Sequence, residues 1–125
     1  PDAGKSVQNV SFQWADGTQG CLNDLLRWSG DNLLLLVWGT HTDTAWRRVR
    51  QLTAQTPLRA VQVLSPGEHA QGREHVLDAD HRLRQACQSI DQAWALVRPD
   101  AYLSATGRDW ESTLVRRLAR ALALA

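Results

Sequence analysis

The chain has 125 residues, of which 43% are hydrophobic and 22% charged, with a formal net charge of +1. That length suits one buried core and is too short for two, so residues 1–125 read as a single domain. The near-neutral balance offers no field that would gather nucleic acid or an anionic membrane.

At the N-terminus, PDAGKSVQNV lacks the apolar core of a signal peptide, and a cytoplasmic location is expected. NVSFQW (9–14) alternates Val10, Phe12 and Trp14 on one face before Asp16-Gly17, which predicts a short strand and a turn. In CLNDLLRW (21–28), Leu22, Leu25 and Leu26 have helical spacing, and SGDN stops the helix. LLLLVW (33–38) is continuous rather than alternating, as in a strand covered on both faces of a parallel sheet, and it is far too short to cross a bilayer.

GTHTD (39–43) supplies a turn and helix caps. AWRRVRQLTAQ (45–55) then sets Trp46, Val49 and Leu52 on one stripe and the arginines largely on the other. RAVQVL (59–64) is the next strand, SPGEHAQGREHVLD (65–78) reads as a polar loop, and ADHRLRQACQ (79–88) as a short helix. AWALVR (93–98) and AYLSAT (101–106) are tightly joined and predict antiparallel neighbours. A last helix carries Trp110, Leu114, Leu118 and Leu122 every fourth residue. The predicted order is β-α-β-α-β-α-β-β-α: an α/β, thioredoxin-like domain whose mixed sheet has a parallel core and a C-terminal antiparallel hairpin.

Such a domain carries redox chemistry where its first long strand feeds a helix, because a helix N-terminus stabilises a thiolate. Here that place reads Gly39-Thr40-His41-Thr42-Asp43, without cysteine. Cys21 and Cys87 lie elsewhere and read as reduced, buried thiols. SIDQAW (89–94) also lacks the proline that shapes the peptide edge of redox-active relatives. His41 and Asp43 read as loop and cap rather than a catalytic pair. His69, His75 and His81, with Glu68, Glu74, Asp78 and Asp80, match no metal-ligand spacing. The arginines at 47, 48, 50 and 116, 117, 120 read as solvated helix faces. No catalytic, cofactor-binding or metal residue is therefore expected, and no nucleic-acid or membrane partner.

One stretch says more. ALVRPDAYLSATG (95–107) resembles the Leu-Val-Arg-Pro-Asp signature near the end of FAD-dependent aromatic-ring hydroxylases, such as 3-(3-hydroxyphenyl)propionate hydroxylases and phenol hydroxylases. FQWADGTQGCLNDLLRWSGDNLLLLVWG (12–39) and DADHRLRQACQSIDQAWALVRPD (78–100) are similar to upstream runs of that family. In that family a thioredoxin-like C-terminal domain follows the FAD and substrate domains. The resemblance implies a piece of a larger flavoprotein, consistent with a chain that opens on Pro1 and contains no Met. FAD and NAD(P)H belong to the parent, which inserts one oxygen atom from O2 into a phenolic ring. The resemblance implies that this domain is a redox-inactive accessory piece, expected to pack on the FAD and substrate domains and to contribute to homo-oligomer contacts. Arg98, Pro99 and Asp100 are the candidate turn or interdomain contacts.

Two readings compete with it. FQWADGTQGCLNDLL also resembles the start of peroxiredoxins, which would make the chain a free-standing thiol enzyme. A stand-alone binding module using loops 39–43 and 65–78 is the other. Two structural expectations follow from the leading one. Docking predicts an exposed apolar patch or Trp-bearing surface. Ala101 replaces the family's glycine, so it either takes positive φ, at a cost of roughly 1–2 kcal/mol, or changes the turn.

Overall fold

The structure, a computed structural model, describes residues 6–39, 43–55, 57–71, 74–87 and 92–108. Its elements are β1 (Ser11–Trp14), β2 (Gln19–Cys21), α1 (Leu22–Ser29), β3 (Leu33–Trp38), α2 (Asp43–Gln55), β4 (Leu58–Leu64), β5 (His75–Leu77), α3 (Arg82–Ala86), β6 (Trp94–Val97) and β7 (Leu103–Gly107). They build one seven-stranded sheet in the order β2-β1-β5-β4-β3-β6-β7. β4 runs parallel to β3 and to β5, while the remaining pairs are antiparallel. The mixed sheet with a parallel centre and a C-terminal hairpin is the expected α/β arrangement.

β3 is the middle of the structure, and all six of its residues are buried. Leu34, Leu36 and Trp38 join a cluster with Leu22, Leu25 and Leu26 of α1 and Leu83 of α3. Leu33, Leu35 and Val37 join a second cluster with Trp46 and Val49 of α2 and with Trp94 and Leu96 of β6. Alternate side chains of one strand thus enter two separate cores, which is why the run needs no polar position.

Three details differ from the sequence reading. β2 was not expected; it has only three residues, and Gly20 lies at its centre beneath the Trp14 ring. A Cβ on Gly20 would stand 2.3 Å from Trp14 Nε1, so the close approach requires glycine. The 65–78 segment is not all loop, because His75–Leu77 form β5 against β4 and β1. Three residues are too few to display an alternation, and the preceding glycines and proline hide them. The expected helix 79–88 is confined to Arg82–Ala86. The helix expected around Trp110–Leu122 lies outside the described residues, as do the arginines at 116, 117 and 120.

The hairpin's second strand begins at Leu103 rather than at Ala101, because Ala101 belongs to the turn. Its φ is 67°, so the left-handed expectation holds. The same turn shifts the β6–β7 register between Leu96 and Val97.

Candidate functional site

Open α/β sheets gather ligands at the carboxyl ends of their parallel strands, and here that end is tied by amides. Gly39 leaves β3 with φ 76°, and its N–H donates to the Val63 carbonyl (2.9 Å). Gln62 of β4, wholly buried, donates from Nε2 to the Gly39 carbonyl (3.0 Å) and to Gln71 Oε1 (3.1 Å). Its Oε1 accepts the Gln71 N–H (3.1 Å). Trp46 Nε1, from α2, also donates to Gln71 Oε1 (2.6 Å). Glu68 Oε1 accepts the Ser65 N–H (2.6 Å), and Glu68 Oε2 lies 3.0 Å from where a Cβ on Gly39 would sit.

This network binds two strands, a helix and the 65–71 loop together, and it contains no thiol. Sequence reading passed over Gln62; the signal was a single amide inside the apolar run AVQVL. His41 lies outside the described residues. Asp43 is the first residue of α2, and its side chain also lies outside the description, so the His41–Asp43 pair is not tested.

The cysteines have separate environments. Cys21 is only partly buried, a correction to the expected pair of buried thiols, because it sits at the start of α1 as its N-cap. Its N–H donates to Asp24 Oδ2 (3.1 Å), and its thiol donates to the same oxygen (3.4 Å). The Cys21 thiol and then Arg27 hold the Asp24 carboxyl below its ordinary value. Cys87 is fully buried at the end of α3, and burial pushes its thiol up to about 12. A neutral buried thiol is a poor nucleophile.

The histidine-rich segment does not converge. His75 is in β5, and His81 precedes α3 with φ 56°. Asp78 is buried and spends its carboxylate on the N–H groups of Leu83 (3.1 and 3.2 Å) and Arg84 (3.2 Å), capping α3. Among the described residues no three His, Cys, Asp or Glu side chains are grouped to hold a metal ion.

At the hairpin, the Ala101 N–H donates to the Arg98 carbonyl and the Arg98 N–H to the Tyr102 carbonyl, both at 2.9 Å. Arg98 and Asp100 pair at 2.7 Å with both side chains about half exposed (53% and 51%). Solvent screening leaves such a pair at most about 1 kcal/mol. The Val7 N–H donates to the Ala101 carbonyl (2.6 Å), and Ser6 bridges Tyr102, so the turn anchors the N-terminal segment.

Among the described residues the expected exposed apolar patch is not found. Tyr102, at 43%, is the one exposed large hydrophobic among the described residues. Trp14 and Trp28 instead wall a 440 Å³ cavity floored by Leu25, Val61 and Val76. Arg59 covers Trp28, its guanidinium 4.4 Å from the ring centroid and its Nη1 donating to the Trp28 carbonyl (2.8 Å).

These features define a thioredoxin-like domain. The arrangement overlays a Bacteroides vulgatus protein described as a thiol-disulfide oxidoreductase, at 10% identity over 96% of each chain, with a TM-score of 0.68. It also overlays the pneumococcal exposed lipoprotein thioredoxin of Streptococcus pneumoniae, at 11% identity over 94% of this chain and 100% of the other, with a TM-score of 0.61. A Chlorobium tepidum protein described as the thiol:disulfide interchange protein DsbE gives 11% identity over 97% and 98%, and a TM-score of 0.66. At these identities the likeness concerns the fold. The chain belongs to the HcaD C-terminal domain family, matched over residues 4–121. No curated protein matches.

Proposed function

We propose that this chain is a redox-inactive accessory domain at the C-terminal end of a cytoplasmic, FAD-dependent aromatic-ring hydroxylase. The observation that carries the redox-inactive part is the state of the thiols: one is buried and held protonated, with its pKa pushed up to about 12, and the other caps a helix. Cys87 is not an exposed, activated thiolate, and the β3–α2 junction, Gly39 to Asp43, holds no cysteine. Membership in a C-terminal domain family and the Leu96–Asp100 signature support the parent assignment. FAD, NAD(P)H and O2 chemistry belong to the preceding domains. This chain lacks the Gly-x-Gly-x-x-Gly fingerprint that would cradle a dinucleotide, so no residue here is assigned to the cofactors.

The test has two parts. Titration of the folded chain at neutral pH with a chromogenic aromatic disulfide should leave Cys87 unreacted, and the chain should not reduce insulin. A fast thiolate reaction or turnover overturns the redox-inactive reading. The complete parent protein should bind FAD and consume NAD(P)H and O2 with a phenolic substrate; a parent without flavin overturns the assignment.

Burial of Cys87 also sets an alkaline limit. Its folded pKa is raised from 9.0 to about 12, so its contribution is fully present below pH 9.0 and is lost as pH rises towards 12. Urea midpoints across that range should fall for the native chain and fall less for Cys87→Ala.

A further inference from the structure

Trp14 and Trp28 are only partly buried, and both face the cavity between α1 and the sheet. Each is held by groups that do not line that cavity. Trp14 meets Phe12 edge to face, with ring centroids 5.1 Å apart, and lies against Gly20. Arg59 covers Trp28 and bonds its carbonyl. The two indoles are thus set in place before any ligand arrives, which lowers the ordering cost of binding. Leu25, Val61 and Val76 give the space an apolar floor, and its 440 Å³ falls within the range of small-molecule sites.

The rim is acidic. Asp16, in the turn between β1 and β2, and Glu74, just before β5, both line the cavity and both are exposed. Asp16 Oδ1 accepts the Thr18 hydroxyl (2.6 Å) and the Thr18 N–H (3.0 Å). These bonds hold the Asp16 carboxyl below its ordinary value, so it is charged at neutral pH. Among the described residues neither Asp16 nor Glu74 is in an ion pair. The nearby Arg59 guanidinium is already committed to Trp28. Carboxylates attract a cation by charge, and indole rings attract one through their negative faces. Arg59 over Trp28 demonstrates the second attraction within this molecule.

We propose that the Trp14–Trp28 cavity binds a small organic ammonium ion carried on a flat apolar body, of the arylalkylamine class. The ring lies on the Leu25–Val61–Val76 floor between the indoles, and the ammonium group reaches the Asp16 and Glu74 carboxylates at the rim. A neutral ligand of the same shape gains only the floor and walls, and an anion is repelled at the rim. This site is independent of the thiols and of the parent assignment.

Titration of the 125-residue chain, followed by nitrogen–proton correlation spectra, tests it. The probes are phenethylammonium, its neutral isostere 2-phenylethanol, and phenylacetate. Phenethylammonium should shift the indole N–H signals of Trp14 and Trp28 and the amides of Asp16 and Val76 to saturation, and bind about tenfold more tightly than 2-phenylethanol. Phenylacetate should bind more weakly still. The double variant Asp16→Asn, Glu74→Gln should keep its affinity for 2-phenylethanol, with the preference for the ammonium ion reduced to about threefold, the part owed to the indoles. Unchanged amide positions at Leu34–Val37 of the central strand show that the variant is folded. No saturable shift at Trp14 and Trp28, or shifts confined to another surface, overturns the site. Equal affinity for the ammonium ion and the alcohol, or a preference that survives the double variant unchanged, overturns the ligand class and with it the proposal.

Discussion

The carboxyl half of β4 is bonded to neighbours on both edges, and its buried amide side chain is saturated by Gly39 and Gln71. Among the described residues the amino half pairs with β3, from Leu58 onwards; the Gly39 and Gln71 bonds belong to the carboxyl half. The two halves are continuous in one strand and rest on the same cores. The difference lies in what pairs beside them: β5 begins at His75, level with Gln62. In thioredoxin-like redox proteins the carboxyl end is the reactive one. Here Gln62 ties that end to Gly39 and Gln71 by hydrogen bonds.

Substitutions can break or sharpen that contrast. Gln62→Leu should have the largest effect. It leaves the Gly39 carbonyl and the Gln71 N–H without their partner in a buried setting, and should cost about 3 kcal/mol in urea unfolding. Gly39→Ala should cost about 1–2 kcal/mol, because φ 76° is unfavourable for an L-residue. The nearby Glu68 carboxylate is the flexible end of a side chain and can withdraw. Ala101→Gly, at a turn remote from both halves, should stabilise the chain by about 0.5–1 kcal/mol in the same assay. It relieves a left-handed alanine, less the extra backbone entropy of glycine. Ala60→Ser, in the amino half and only partly buried, should stay within about 0.5 kcal/mol in the isolated chain. An Ala60 change as costly as Gln62→Leu would erase the distinction between the halves.

Much of the fold was legible because it rests on local chemistry. The unbroken LLLLVW declared a strand covered on both faces, and β3 supplies both cores with alternate residues. Leu22, Leu25 and Leu26 declared the buried stripe of α1. Arg98-Pro99-Asp100 declared a turn, and Ala101 in place of glycine declared its strain. β2 and β5 were not legible: each is three residues long and exists because neighbouring strands complete its hydrogen bonds. Asp78 was read as one acid in a histidine-rich loop, since its role depends on α3 folding back over it.

The sequence by itself determined the thioredoxin-like class, the absence of cysteine at the end of β3 and the signature at the hairpin, because each is written in residue type and short-range order. Only the tertiary structure decided that Cys87 is buried and protonated and that Gln62 ties Gly39 to the 65–71 loop. Those properties depend on which segments meet across the sheet, and solvent exclusion and hydrogen-bond completion are set by that meeting.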